Sequence, residues 1–104
     1  MMPPILGRLR EGARVLVIRL RSLGDCVLST PAIHLLKRAR PDLEIGVVVE
    51  DRFRAVYEEN PDVARILSPS RREVLDFRAG LTINLHGGSR SAMLTLASMA
   101  RFRA

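Results

Sequence analysis

Arg14-Val-Leu-Val-Ile-Arg-Leu20 is a β-branched, nearly continuous apolar run, and it restricts the folds open to the chain more than any other stretch. A strand with one wet face alternates apolar and polar residues. An unbroken run marks a strand buried on both faces, as in a parallel sheet covered by helices. The segment that follows switches period: Val27, Leu28, Ile33, Leu35 and Leu36 fall at helical spacing, and Lys37, Arg38 and Arg40 stand where cations oppose the negative end of a helix dipole. Pro31 must kink this helix or mark the end of a distorted first turn, and Pro41-Asp42 closes it.

The alternation continues along the chain. Glu44 to Val49 reads as a second strand, Phe53 to Glu59 as a short helix bounded by Asn60-Pro61, and Arg65 to Leu67 as a short third strand. Ser68 to Gly80 is charged and reads as a helix or loop ending at Gly80. Leu81 to Leu85 is the fourth strand, broken by His86-Gly87-Gly88, after which Ser89 can cap a final helix from Arg90 to about Ala100. Strands alternating with helices through short loops predict an α/β fold: a Rossmann-like parallel sheet with flanking helices. Residues 1–13 read as an amino-terminal extension and residues 14–104 as an incomplete domain, because the last helix is apolar on more than one face and would be left half covered.

Composition narrows the function. With 104 residues, 47% hydrophobic and 4% aromatic, the chain suits one domain with an aliphatic core. The sequence has no tract of about 18 apolar residues to span a bilayer, and its proline-broken opening is too short for a secretory signal, so a cytoplasmic location is expected. Cys26, alone, forms no internal disulfide. The net charge of +6 favours phosphate-bearing partners, although Lys37 is the only lysine and an arginine skew arises as readily from genomic base composition. Basic residues are not interleaved with aromatics, so nucleic acid is not an expected partner. The turn after the first strand lacks the Gly-x-Gly-x-x-Gly fingerprint, and no phosphate loop is present. His34 and His86 have no supporting ligand pattern, so a metal is not implied.

Ligands of doubly wound sheets bind beyond the carboxyl ends of the strands, where strand order reverses. With the order 3-2-1-4 that point lies between the first and fourth strands, and two loops meet there: Ser22-Leu23-Gly24-Asp25 and His86-Gly87-Gly88-Ser89. Gly24 allows a tight turn and a close approach to ligand, as do Gly87 and Gly88 on the facing loop. Asp25 is the one acidic side chain in this crevice and the candidate general base. An aspartate at a helix start serves equally as an N-cap, worth on the order of 1 kcal/mol, and His86 equally as a loop histidine bonded to backbone.

These residues carry a family resemblance. Arg14-Val-Leu-Val-Ile-Arg-Leu-Arg-Ser-Leu-Gly-Asp25, Leu28-Ser-Thr-Pro-Ala32 and Pro41-Asp-Leu-Glu-Ile45 resemble the opening of glycosyltransferase family 9, the ADP-heptose:lipopolysaccharide heptosyltransferases. Val48-Val-Glu50, Asn60-Pro61, Ile83-Asn-Leu-His-Gly87 and Arg90-Ser-Ala92 are similar to later landmarks of that family. The resemblance implies the amino-terminal, acceptor half of a GT-B fold, truncated here, with the donor-binding carboxyl-terminal domain absent. It implies inverting transfer of a heptose or related sugar from an ADP-sugar to a lipopolysaccharide core or lipid A-type glycolipid, with no cofactor or metal required and no activity from this chain alone. Asp25 would be the base; Ser22, Gly24, His86, Gly87 and Arg90 would line the acceptor site. An arginine-rich domain would suit the anionic inner face of the cytoplasmic membrane. Arg21 and Asn84 depart from the family's small polar residue and aspartate, which bears on substrate preference. The alternative reading is a non-catalytic Rossmann-like module that binds an anion or a protein.

Overall fold

A computed structural model of the chain describes residues 7–19, 23–85, 89–98 and 100–103, without the side chains at positions 23, 25 and 89–92. The elements run β1 (Arg14–Ile18), α1 (Leu23–Ala39), β2 (Glu44–Val48), a 3-10 turn (Asp51–Phe53), α2 (Ala55–Glu58), β3 (Arg65–Leu67), α3 (Arg71–Phe77), β4 (Leu81–Asn84), α4 (Ser89–Ala97) and β5 (Phe102–Arg103). The strands form one sheet in the order β3-β2-β1-β4-β5, every pair parallel. Val15 stands opposite Ile45 on one side and Leu81 on the other, and Ile18 opposite Val48 and Asn84. The expected parallel α/β sheet and its 3-2-1-4 order are therefore present. The fifth strand was not expected: after α4 the chain turns back into the sheet, and Phe102 pairs with Leu81. A strand of two residues, Phe102 and Arg103, is too short to show a strand period.

The continuous apolar run of β1 is explained by the two cores it separates. Val15 and Val17 face one way, with Ile45, Val47 and Leu81, into a core closed by Cys26 and Ile33 of α1 and Tyr57 of α2. Leu16 and Ile18 face the other way, with Val48 and Leu67, into a core closed by Val74 and Phe77 of α3 and Leu94 of α4. Every side chain of Val15 to Ile18 is thus buried. Leu9, ahead of the first strand, also packs into the first core. Gly46 is required by this packing: a Cβ there would lie 2.7 Å from Phe77 Cζ. On α4, Leu94 is buried while Met93 and Leu96 are exposed, the half-covered state expected of that helix.

Pro31 lies inside α1 rather than ending its first turn. An interior proline leaves the carbonyl four residues back without its amide partner. That carbonyl, on Val27, accepts instead from the Thr30 hydroxyl at 2.8 Å. Helix α3 ends earlier than the sequence suggests. Its C-cap is Arg78, in the left-handed region at φ 55°, and not Gly80. Its start is held by Ser70, whose hydroxyl accepts from the Glu73 amide, while Glu73 Oε2 accepts from the Ser68 amide. Among the described residues no helix is long and apolar enough to cross a membrane.

Candidate functional site at the carboxyl edge of the sheet

From β1 the chain steps to β2 and β3 on one side, and from β4 to β5 on the other, so strand order reverses between β1 and β4. The two strands stay paired to their last residues. The Leu85 amide donates to the Ile18 carbonyl at 3.0 Å, and the Arg19 amide donates across the other side of β1 to the Val48 carbonyl, also at 3.0 Å. The connections that carry the predicted site therefore leave the same edge of the sheet from adjacent strands. Ser22, His86 and Gly87 themselves lie outside the described residues, as do the side chains of Asp25 and Arg90.

The backbone places Asp25 third in α1, one position beyond Gly24, so its residue belongs to the first turn rather than to the cap position that the alternative reading gave it. Acidic residues are favoured there by the positive end of the helix dipole. Gly24 is helical too, and positive φ among the described glycines occurs at Gly12, so the tight-turn role expected of Gly24 is not what the fold uses. Its second expected role is compatible: among the described residues, a Cβ at Gly24 would meet no heavy atom within 4 Å. Arg90 is the second residue of α4, so its backbone sits at the start of the helix that follows β4, as expected.

Arg19 was missed by sequence reasoning. It ends the apolar run of β1, and its guanidinium Nη1 donates to the Leu85 carbonyl, bridging the tips of β1 and β4 at the reversal point. The available signal was a charged residue closing a strand buried on both faces, since a cation placed there must find acceptors at the strand ends. Behind it, α1 is fixed by a buried polar cluster. Ser29 Oγ donates to the Cys26 carbonyl at 2.6 Å and lies 2.8 Å from the Tyr57 hydroxyl. Cys26 is a free, buried thiol. His34 Nδ1 lies 2.9 Å from Asp62 Oδ2, tying the middle of α1 to the turn before β3. Among the described residues no three His, Cys, Asp or Glu side chains gather as a metal site.

No protein-family model matches the chain. Over 54 residues, 52% of this chain, it is 37% identical to lipopolysaccharide heptosyltransferase 1 of Pseudomonas aeruginosa, of which the match covers 15%. Its fold is similar to the glycosyl transferase family 9 structure from Veillonella parvula, with a TM-score of 0.79 and 24% identity over 91% of this chain and 32% of that one. It is similar also to the Escherichia coli ADP-heptose lps heptosyltransferase II, with a TM-score of 0.77 and 22% identity over 86% of this chain and 29% of that one. The likeness to family 9 read from the sequence is upheld by these matches, and the chain spans at most about a third of the length of the proteins it resembles.

Proposed function

We propose that the chain is the acceptor-side part of an inverting glycosyltransferase of the heptosyltransferase type. The observation that carries the reading is the hydrogen bond between Leu85 and Ile18, because it sets the origins of the two site loops side by side where ligands of such sheets bind. The 37% identity to a heptosyltransferase supports it. In this reading Asp25, in the first turn of α1, takes the proton from an acceptor hydroxyl. The freed oxygen forms a bond to the anomeric carbon of the ADP-sugar, the bond from that carbon to the phosphate oxygen breaks, ADP leaves and the centre inverts. Gly24 leaves room for the acceptor, while Ser22, His86, Gly87 and Arg90 hold its hydroxyl and acidic groups. Arg19 keeps the two loop origins together. A second domain, outside these 104 residues, holds the donor, and catalysis rests largely on bringing the two substrates together. The acceptor is a phosphorylated lipopolysaccharide core glycolipid, and the enzyme works at the cytoplasmic face of the inner membrane.

The test is to graft the chain in place of the matching amino-terminal segment of the Pseudomonas enzyme and measure transfer from ADP-heptose to a truncated core acceptor. The chain alone is expected to be inactive and the graft active, with Asp25→Asn losing about 10²-fold or more. A folded graft that transfers no ADP-sugar, or an Asp25→Asn form with undiminished turnover, would overturn the proposal.

A further inference from the structure

The opposite edge of the sheet carries a second feature that the transfer reaction does not use. A cleft of about 520 Å³ opens there, lined by Arg8, Arg10, Arg14, Arg78 and Arg101, with Phe102 in its wall. It lies at the amino ends of β1, β4 and β5, and no acidic residue among the described ones lines it. Arg14 is neutralised, since it donates to Glu44 Oε2 at 3.0 Å and to the Phe77 carbonyl at 2.9 Å. Arg8, Arg10, Arg78 and Arg101 have no carboxylate partner among the described residues.

Isolated surface arginines need no explanation, because water solvates them. These differ in two respects. The guanidinium groups of Arg8 and Arg101 both sit 5.2 Å from the centre of the Phe102 ring, so one aromatic holds two like charges at a single concavity. Arg78 reaches the cleft from a left-handed backbone position where glycine would be the unstrained choice. Like charges brought together from three separate stretches of chain repel unless an anion joins them.

We propose that this cleft binds a phosphate-bearing ligand, a diphosphate or a cluster of phosphomonoesters, held by Arg8, Arg10, Arg78 and Arg101. Guanidinium groups meet phosphate oxygens with paired, charge-assisted hydrogen bonds. The volume suits a sugar phosphate or nucleotide and falls in the usual range for small-molecule sites. The same chemistry is offered by a soluble phosphate ester and by a phospholipid headgroup.

Calorimetry of the 104-residue chain with inorganic pyrophosphate at low salt tests the proposal, alongside sedimentation with phosphatidylcholine vesicles with and without phosphatidylglycerol. Arg78→Gly removes one cation while relieving its backbone, so it folds at least as well as the parent. It and Arg101→Gln are each expected to weaken pyrophosphate binding by about tenfold. Arg71→Gln, on α3 outside the cleft, should leave binding unchanged. Saturable pyrophosphate binding lost in the two cleft variants identifies a soluble ligand. Binding to the anionic vesicles alone, with the same dependence, identifies a headgroup. Absence of both, or equal losses in Arg71→Gln, overturns the proposal.

Discussion

The Tyr57 and Ser29 hydroxyls lie 2.8 Å apart, buried between α2 and α1. Both hydroxyls also reach the Cys26 carbonyl as donors, Ser29 Oγ at 2.6 Å and the Tyr57 hydroxyl at 3.2 Å. This joint ties the helix that carries Asp25 to α2.

Burial, the largest cause, pushes the Tyr57 hydroxyl up to about 12 from its ordinary 10.0. The folded state thus holds its proton more tightly than the unfolded state. The resulting stability is complete below pH 10 and is lost as pH rises from 10 toward 12. Tyr57 is the only tyrosine and the chain has no tryptophan, so phenolate absorbance reports it alone. The titration is expected near 12 in the folded protein, and a midpoint near 10 in protein still folded by circular dichroism would contradict the buried joint. Tyr57→Phe should cost about 1 to 2 kcal/mol in denaturant unfolding and flatten the alkaline loss.

Gly46 and Phe77 make a second joint, on the other face. A methyl group at 46 would come within 2.7 Å of Phe77 Cζ and 3.1 Å of Leu67 Cδ1, so the ring would have to move within a packed core. Gly46→Ala is expected to destabilise by about 1 to 3 kcal/mol. Phe77→Leu should recover part of that loss when combined with it, giving a measurable coupling in a double-mutant cycle. Additive losses would show that the ring is not the obstacle.

Asp42 fastens the residues ahead of β1. Its carboxylate accepts from Arg40 Nη2 at 2.7 Å, from Arg40 Nε at 2.9 Å and from the Gly12 amide at 2.8 Å. The Arg40 guanidinium, first, and the Gly12 amide hold the carboxyl well below its ordinary 3.8. A depressed folded value means stability that is present above the unfolded value and lost as pH falls through the folded one. Acid unfolding of the parent should therefore steepen below pH 3.8, and Asp42→Asn should show a shallower loss over that window. Identical acid profiles would refute the contribution.

The parts of the fold that were legible in the sequence were those that bury a whole period. Val15 to Ile18 pack into both cores, and that double burial is what an unbroken apolar run records. Helix α1 showed through Ile33 and Leu36 despite Pro31, because the Thr30 hydroxyl supplies the proton that the proline lacks. Elements set by tertiary contact were not legible. Phe102 and Arg103 form a strand because β4 offers them an edge, and Arg78 caps α3 although Gly80 is the better glycine signal. At the candidate site, the reversal point followed from element order, whereas Arg19 takes its place through an acceptor 66 residues away in sequence.

Arg78 also separates stability from binding. At φ 55° an L side chain crowds its own backbone, at a cost of roughly 1 kcal/mol that glycine avoids. Arg78→Gly removes a side chain that makes no ion pair among the described residues, so the relief is not offset by a lost salt bridge. Glycine also loosens the unfolded chain, which returns some of the gain. The variant is expected to be more stable than the parent by up to about 1 kcal/mol in thermal or urea unfolding. Arg78→Ala keeps the strain and should gain nothing. If both variants lose stability alike, the arginine stem is holding the helix end, and a residue kept there for an anion is the wrong account of it.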